Sequence, residues 1–260
     1  MSSLTISIIQ TDLVWENKAA NLENLEKKIL SIEEKTELII LPEMFNTGFS
    51  MNPAALAEEA DGPCFQWMKR MSQLKRVALT GSFMVHVDGC YYNRLIWMLP
   101  NGDFGHYDKR HLFAFAGEDQ HFSAGNQKLM PSIKGWRINL LICYDLRFPV
   151  WSRQDQSNPY DLLIYVANWP ERRSNAWKSL LMARAIENQS FVIGVNRVGT
   201  DGLGNYHTGD SSIIDPLGEI LFHQANEESI HTLTIHKSHV DQIREKLPFL
   251  KDADDFHIIP

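Results

Sequence analysis

Polar residues of reactive type stand at the carboxyl ends of apolar runs in this sequence. ELIILP (37–42) leads directly into Glu43, RINLLI (137–142) into Cys143, and LLIYVA (162–167) into Asn168 and Trp169. In open α/β sheets that edge is where ligand sites gather. A thiol is a candidate nucleophile and a carboxylate a candidate proton carrier. Lys109 in HYDKRHLF and Arg147 in CYDLRFP add cations. Each has an ordinary explanation when taken alone. Glutamate after a strand is commonly a solvated turn residue, cysteine behind INLLI a small buried hydrophobe, Lys109 a surface lysine, and Arg147 a partner for Asp145.

Familiar site signatures are missing. There is no GxSxG elbow, no P-loop and no HExxH, and GTDGLGNYHTG lacks the GxGxxG spacing of a dinucleotide site. Ten histidines show no paired ligand spacing, so neither a metal nor a cofactor is expected. Three cysteines, Cys64, Cys90 and Cys143, form no CxxC pair and suggest free thiols in a reducing compartment. Cys64, after Gly62-Pro63, and Cys90, in a hairpin turn, lie in no chemical motif.

The elements that must position these groups alternate. LTISIIQ (4–10), ELIILP (37–42), VALTGSFMV (77–85), RLIWMLP (94–100), RINLLICY (137–144), LLIYVAN (162–168) and FVIGVN (191–196) are apolar runs of strand length. Several are apolar on consecutive residues, as in strands covered on both faces. Helical spacing joins Leu22, Leu25, Ile29 and Ile32, then Trp67, Met71 and Leu74, then Trp177, Leu180, Leu181 and Ile186. Turn signals at Asp88-Gly89, Asn101-Gly102 and Pro216 to Gly218 predict hairpins, hence antiparallel pairs within mixed sheets. About a dozen strands fit two packed sheets better than one. An α/β class follows.

Composition narrows the partners. The 260 residues are 44% apolar and 22% charged, with 25 basic and 32 acidic side chains giving −7. No run of one charge points to nucleic acid or an anionic membrane, and no apolar run approaches the roughly 18 residues of a membrane span. MSSLTISIIQTDLVWEN lacks a basic leader and a cleavage site, which predicts a cytoplasmic protein. With no repeat and no linker, residues 1–260 read as one domain with a mobile end from about 250.

Jointly, LPEMF, YDKRHLF and CYDLRFP resemble in order the glutamate, lysine and cysteine motifs of the nitrilase superfamily, the carbon–nitrogen hydrolases. AGEDQHFSAG, ANWPERRSNAWKSLLMARAIENQ and YHTGDSSIIDPLGE extend the likeness over nearly the whole chain. Within the superfamily, CYDLRFPVWSR followed by YVANWP most resembles the bacterial ω-amidases of 2-oxo dicarboxylate monoamides.

The resemblance implies a four-layer α-β-β-α sandwich and a thiol amidase without cofactor or metal. Cys143 would attack the amide carbon, Glu43 would act as general base, and Lys109 would face the oxyanion with the backbone N–H of Tyr144. Glu118 in AGEDQHF would orient Lys109. Arg147 would hold a substrate carboxylate, a task suited to a guanidinium fork, and Trp169 and Phe113 would wall the pocket. Two carboxylates beside one lysine should keep it charged. The expected partner is a small-molecule amide, with a homodimer or higher homo-oligomer formed through helices after the nucleophile, including Trp151 and residues 176–189. Rivals are a Cys143/His111 dyad in place of Glu43, with His106 and His121 also near enough in sequence to tune the pocket. A carbamoyl amine or nitrile is the rival substrate, and a non-catalytic binding protein the rival class.

Overall fold

The computed structural model describes residues 2–155, 157–254, 256 and 258. In chain order the strands are β1 Ser3–Gln10, β2 Leu38–Ile40, β3 Glu58–Glu59, β4 Ala78–Val87, β5 Cys90–Met98, β6 Phe104–Asp108 and β7 Ser132–Ile133. They continue as β8 Trp136–Ile142, β9 Leu162–Ala167, β10 Phe191–Asn196, β11 Val198–Thr200, β12 Tyr206–Ile214, β13 Ile220–Ala225 and β14 Ser229–His236. The helices are α1 Lys18–Leu30, α2 Pro53–Leu56, α3 Pro63–Lys75, α4 Glu118–His121, α5 Pro149–Ser152, α6 Ser174–Asn188 and α7 Lys237–Lys246.

One sheet runs β14-β1-β2-β4-β5-β6 with β3 beside β4; the other runs β11-β12-β10-β9-β8-β7 with β13 beside β12. Both are mixed. β1, β2 and β4 are parallel, as are β8, β9 and β10, whereas the hairpins β4-β5, β5-β6 and β12-β13 are antiparallel. All three turn signals therefore lie where the chain reverses. At the first, Asp88 and Gly89 both have positive φ (50° and 79°), the requirement of the hairpin turn that matches strand twist.

Alternation along β2 explains the layers. Leu38 and Ile40 join Leu140, Ile142 and Ile164 between the sheets, while Ile39 and Leu41 face outward onto Leu25, Ile29, Met68 and Met71 of α1 and α3. Behind the second sheet, α6 applies Trp177, Leu181 and Ala185. Gly194 on β10 permits that approach, since a Cβ there would lie 2.5 Å from Leu181 Cδ1 and 2.7 Å from the Trp177 ring. The result is an α-β-β-α sandwich. Each fully buried side chain of leucine size contributes about 1.5–3 kcal/mol relative to exposure.

Several details depart from the sequence expectations. Leu74 is 59% exposed, because the buried stripe of α3 runs through Cys64, Phe65, Trp67, Met68, Met71 and Ser72 and Leu74 lies about 100° round from its centre. Ile186 is 50% exposed, five positions beyond Leu181 and on the opposite side of α6 from Trp177. Cys90 opens β5 opposite Val87 instead of lying within the turn. The strand expected through Tyr144 ends at Ile142, and Cys143 begins a 3-10 turn, Cys143–Arg147. Of the expected mobile end, Phe249–Asp252 forms a 3-10 turn, and residues 255, 257, 259 and 260 lie outside the described residues. Among the described residues no helix is long and apolar enough to cross a membrane.

Candidate active site

The carboxyl ends of β2, β8 and β9 converge. Glu43 follows β2 by three residues and is fully buried. Its Oε2 accepts the backbone N–H of Asn168, just past β9, at 2.8 Å, and its own carbonyl accepts the Asn168 side-chain amide. One residue of the second sheet's edge thus holds both ends of a glutamate from the first.

Lys109 follows β6 and is held by its backbone N–H to Asn93 O at 3.0 Å. Its ammonium donates to Glu43 Oε1 at 2.8 Å and to Glu118 Oε1 and Oε2 at 3.0 and 2.9 Å. Burial works against that charge, but Glu118 and Glu43 more than offset it, and the Lys109 pKa lies above the ordinary lysine value. Glu118 is raised from its usual value by burial, against the pull of Lys109 and with the repulsion of Glu43. It is tied down by the Phe113 N–H at 2.6 Å.

Cys143 occupies the strand-to-turn junction with φ +43°, a left-handed conformation that side chains rarely adopt. The kink lifts the residue out of β8, so that it lines a cleft while remaining 9% exposed. Its thiol is pushed well above the ordinary value by burial and then by the Glu43 charge, with Lys109 opposing. The resting group is therefore a neutral thiol near a carboxylate. The N–H of Tyr144 belongs to the first turn after this junction, where leading N–H groups have no intrahelical acceptor.

The cleft encloses about 700 Å³, its open mouth included. Lys109, Cys143, Tyr144, Arg147, Trp169 and Phe113 all line it, with Glu43 and Glu118 buried behind Lys109. Phe113 packs edge-on against Tyr144 at 4.9 Å. Arg147 does not pair with Asp145. Its guanidinium lies 4.9 Å over the Trp169 ring, and among the described residues no carboxylate is within ion-pair distance. Nor does His111 reach the thiol. Its Nδ1 bonds Asp145 Oδ1 at 2.8 Å and its ring stacks on Phe148 at 3.8 Å, whereas the Glu43 charge acts on the thiol. His106 stands beside Asp108 at 4.0 Å, and neither it nor His121 lines the cleft.

Sequence reasoning missed Asn93, Arg173 and His207. Asn93 on β5 donates to Glu43 Oε1 at 2.8 Å and reaches Glu118 Oε1 at 3.3 Å, bridging the two carboxylates. Nothing in YYNRLIW marks it, because only the pairing of β5 with β6 brings it under Lys109. Arg173 lies over Phe113 at 4.9 Å on the cleft wall, and ERR gave no sign of it. His207 reaches the wall from β12.

Residues 5–245 match the family model for carbon–nitrogen hydrolases. The chain belongs to that family. This carbon–nitrogen hydrolase is 42% identical to omega-amidase YafV of Escherichia coli K12 over 262 residues, covering 99% of the chain and 100% of that protein. It is 34% identical to the 2-oxoglutaramate amidase of Bacillus subtilis over 251 residues, covering 95% and 96%. Among solved structures, a Xanthomonas campestris CN-hydrolase superfamily protein with an arsenic adduct in its active site superposes with a TM-score of 0.96 at 40% identity, covering 99% of this chain and 100% of that one. Saccharomyces cerevisiae Nit3, 22% identical with a TM-score of 0.85 over 95% of this chain and 94% of its own, shares the fold. The hydrolase acts on carbon–nitrogen bonds.

Proposed function

We propose that this hydrolase releases ammonia from the ω-amide of short 2-oxo dicarboxylate monoamides, such as 2-oxoglutaramate and 2-oxosuccinamate, through a Cys143 thioester. The observation that carries this reading is a pair of arginines without carboxylate partners on the wall beside the nucleophile. Arg147 and Arg173 lie over Trp169 and Phe113, and among the described residues neither guanidinium has an ion-pair partner. Burial, then the charges of Arg172 and Arg147, push the Arg173 pKa below its ordinary value, a strain that a bound anion relieves. Among the described residues the one acid on the wall, Asp201, is occupied by the N–H groups of Leu203 and Asn205. A substrate carboxylate fits this surplus of cations, and an ammonium does not. The names of the two bacterial amidases support the same substrate class.

The placement of these groups supports the following chemistry. Glu43 takes the Cys143 proton as sulfur bonds to the amide carbon, and the oxyanion is met by Lys109 and the Tyr144 N–H. Glu43 returns the proton to nitrogen, the C–N bond breaks, and ammonia leaves a thioester. Water then attacks that carbonyl, giving a proton to Glu43, and collapse breaks the C–S bond and restores the thiol, leaving the dicarboxylate. Lysine suits the oxyanion role because it stays cationic throughout.

Ammonia release from 2-oxoglutaramate by purified protein tests the reading, and no turnover of any ω-amide would contradict it. Arg147→Lys should raise KM for carboxylate-bearing amides far more than for neutral ones; equal effects would make Arg147 structural. We further propose that the chain acts as one catalytic module and pairs with a second copy through α5 and α6, where Val150 and Ile186 expose apolar side chains. Light scattering that finds only monomers at micromolar concentration would contradict the pairing.

A further inference from the structure

Beneath the nucleophile lies a carboxylate that the mechanism above does not use. Asp145 is fully buried in the turn that carries Cys143. Its Oδ2 accepts the Ile142 N–H at 3.0 Å and the Tyr107 hydroxyl at 2.7 Å. Its Oδ1 accepts the His111 N–H at 3.1 Å and bonds His111 Nδ1 at 2.8 Å. Tyr107 in turn accepts the Trp151 indole N–H at 3.0 Å and the Arg110 N–H at 3.2 Å.

The partners fall into two groups. Ile142 precedes Cys143 on the second sheet, whereas Tyr107 in β6 of the first and His111 just beyond that strand lie two residues either side of Lys109. One carboxylate therefore joins the lysine-bearing segment to the cysteine-bearing one. Each segment needs such a tie. Cys143 is held at φ +43°, a conformation that a backbone keeps only when its surroundings over-determine it. The bond from Asp145 to Ile142 N closes the turn directly before that residue. Lys109, for its part, must meet an oxyanion that forms only once sulfur has bonded to the substrate.

We propose that Asp145 is a positioning residue, acting through Tyr107 and His111 on one side and Ile142 on the other to fix the distance between the Cys143 thiol and the Lys109 ammonium. This rests on Cys143 and Lys109 as nucleophile and oxyanion partner. Asp145 itself does not line the cleft. Its carboxylate serves because four donors converge on it, and an amide of the same size must turn its NH2 toward some of them.

The test compares Asp145→Asn and Tyr107→Phe with the unmodified protein, counting active sites by the iodoacetamide-reactive Cys143 peptide in a mass spectrum. A merely structural residue lowers the fraction of folded, reactive enzyme but leaves turnover per reactive thiol unchanged. A positioning residue lowers turnover per thiol: we expect kcat with 2-oxoglutaramate to fall about 100-fold in Asp145→Asn and about 10-fold in Tyr107→Phe, with KM within about threefold. The rate of Cys143 alkylation, which needs no substrate, should fall about 10-fold in Asp145→Asn, because the thiol no longer meets Glu43 in line. His111→Gln, which can keep an N–H toward Asp145, should retain more turnover than His111→Leu. Folded Asp145→Asn whose turnover and alkylation per thiol stay within about twofold of the unmodified protein overturns the proposal. If Asp145→Asn does not fold, Tyr107→Phe decides by the same criterion. Should the unmodified protein hydrolyse no ω-amide, the function above fails while the alkylation ratio still decides the role of Asp145.

Discussion

Two buried cysteines in this molecule each stand beside a glutamate that is itself paired with a lysine. Around Cys143 the partners are Glu43 and Lys109, 2.8 Å apart; around Cys64 they are Glu58 and Lys18, 3.1 Å apart. Burial raises both thiols well above their ordinary value, the neighbouring glutamate adds to the rise, and the lysine opposes it. Residue types and electrostatics are therefore shared. Surroundings differ. Glu58 spends its carboxylate on the Cys64 backbone N–H at 2.7 Å, in the first turn of α3, whose N-cap Gly62 offers no side chain. The Cys64 side chain packs into the core with Met68 and Met71. Cys143 instead sits in a kinked turn open to a cleft, with a second carboxylate on its lysine. A helix cap and the proposed catalytic centre use the same three side-chain types, and the backbone beneath them sets them apart.

The largest separation is expected in turnover. Cys143→Ala should lower ammonia release by ~10⁴-fold or more, whereas Cys64→Ala should leave kcat within about twofold and cost about 1 kcal/mol of stability. Comparable losses of activity would erase the distinction. Next come the lysines, read by urea unfolding. Lys109→Met leaves Glu43 and Glu118 buried together without a cation, and should cost about 3–5 kcal/mol. Lys18→Met breaks a pair whose lysine is partly exposed, and should cost less than about 1 kcal/mol. A reversal of that order would mean that the first site is not strained by its carboxylates.

The two regions should also differ in acid sensitivity. His207 on the cleft wall is lowered from 6.5 to about 4 by burial and then by the Arg197 charge. The unfolded chain binds that proton first as pH falls, so its contribution is complete above pH 6.5 and is lost as pH drops toward about 4. The full effect is ~3 kcal/mol. His207→Gln should flatten the urea midpoint against pH in that window, and an unchanged slope would place the acid lability elsewhere. Smallest is the cap: Glu58→Gln should cost about 1 kcal/mol without changing kcat. Any loss of turnover there would give the Cys64 cluster a part in the reaction.

Much of this contrast was legible in the sequence. Apolar runs marked the strands because both faces of the central ones are covered, and Asp88-Gly89 marked a hairpin because that turn demands positive φ twice. Glu43, Lys109, Glu118 and Cys143 stood out only as an ordered set of motifs, since no local pattern tells Cys143 from Cys64. The rest depends on pairings far apart in the chain. Asn93 becomes part of the site through β5 lying beside β6, Arg173 through the return of the chain after β9, and Asp145 by refusing the adjacent Arg147 in favour of Tyr107 and His111. Helical spacing misled at Leu74 and Ile186, where apolar residues lie off the buried stripe and only the position of the neighbouring sheet says so.

In the proposed mechanism Cys143 alone carries the acyl group. Acid quenching of the enzyme during turnover of 2-oxoglutaramate, followed by peptide mass spectrometry, measures this directly. A 2-oxoglutaryl mass is expected on the Cys143 peptide, absent in Cys143→Ala, with the Cys64 and Cys90 peptides unmodified. Steady turnover with no adduct on Cys143, or an adduct on Cys64, would contradict it.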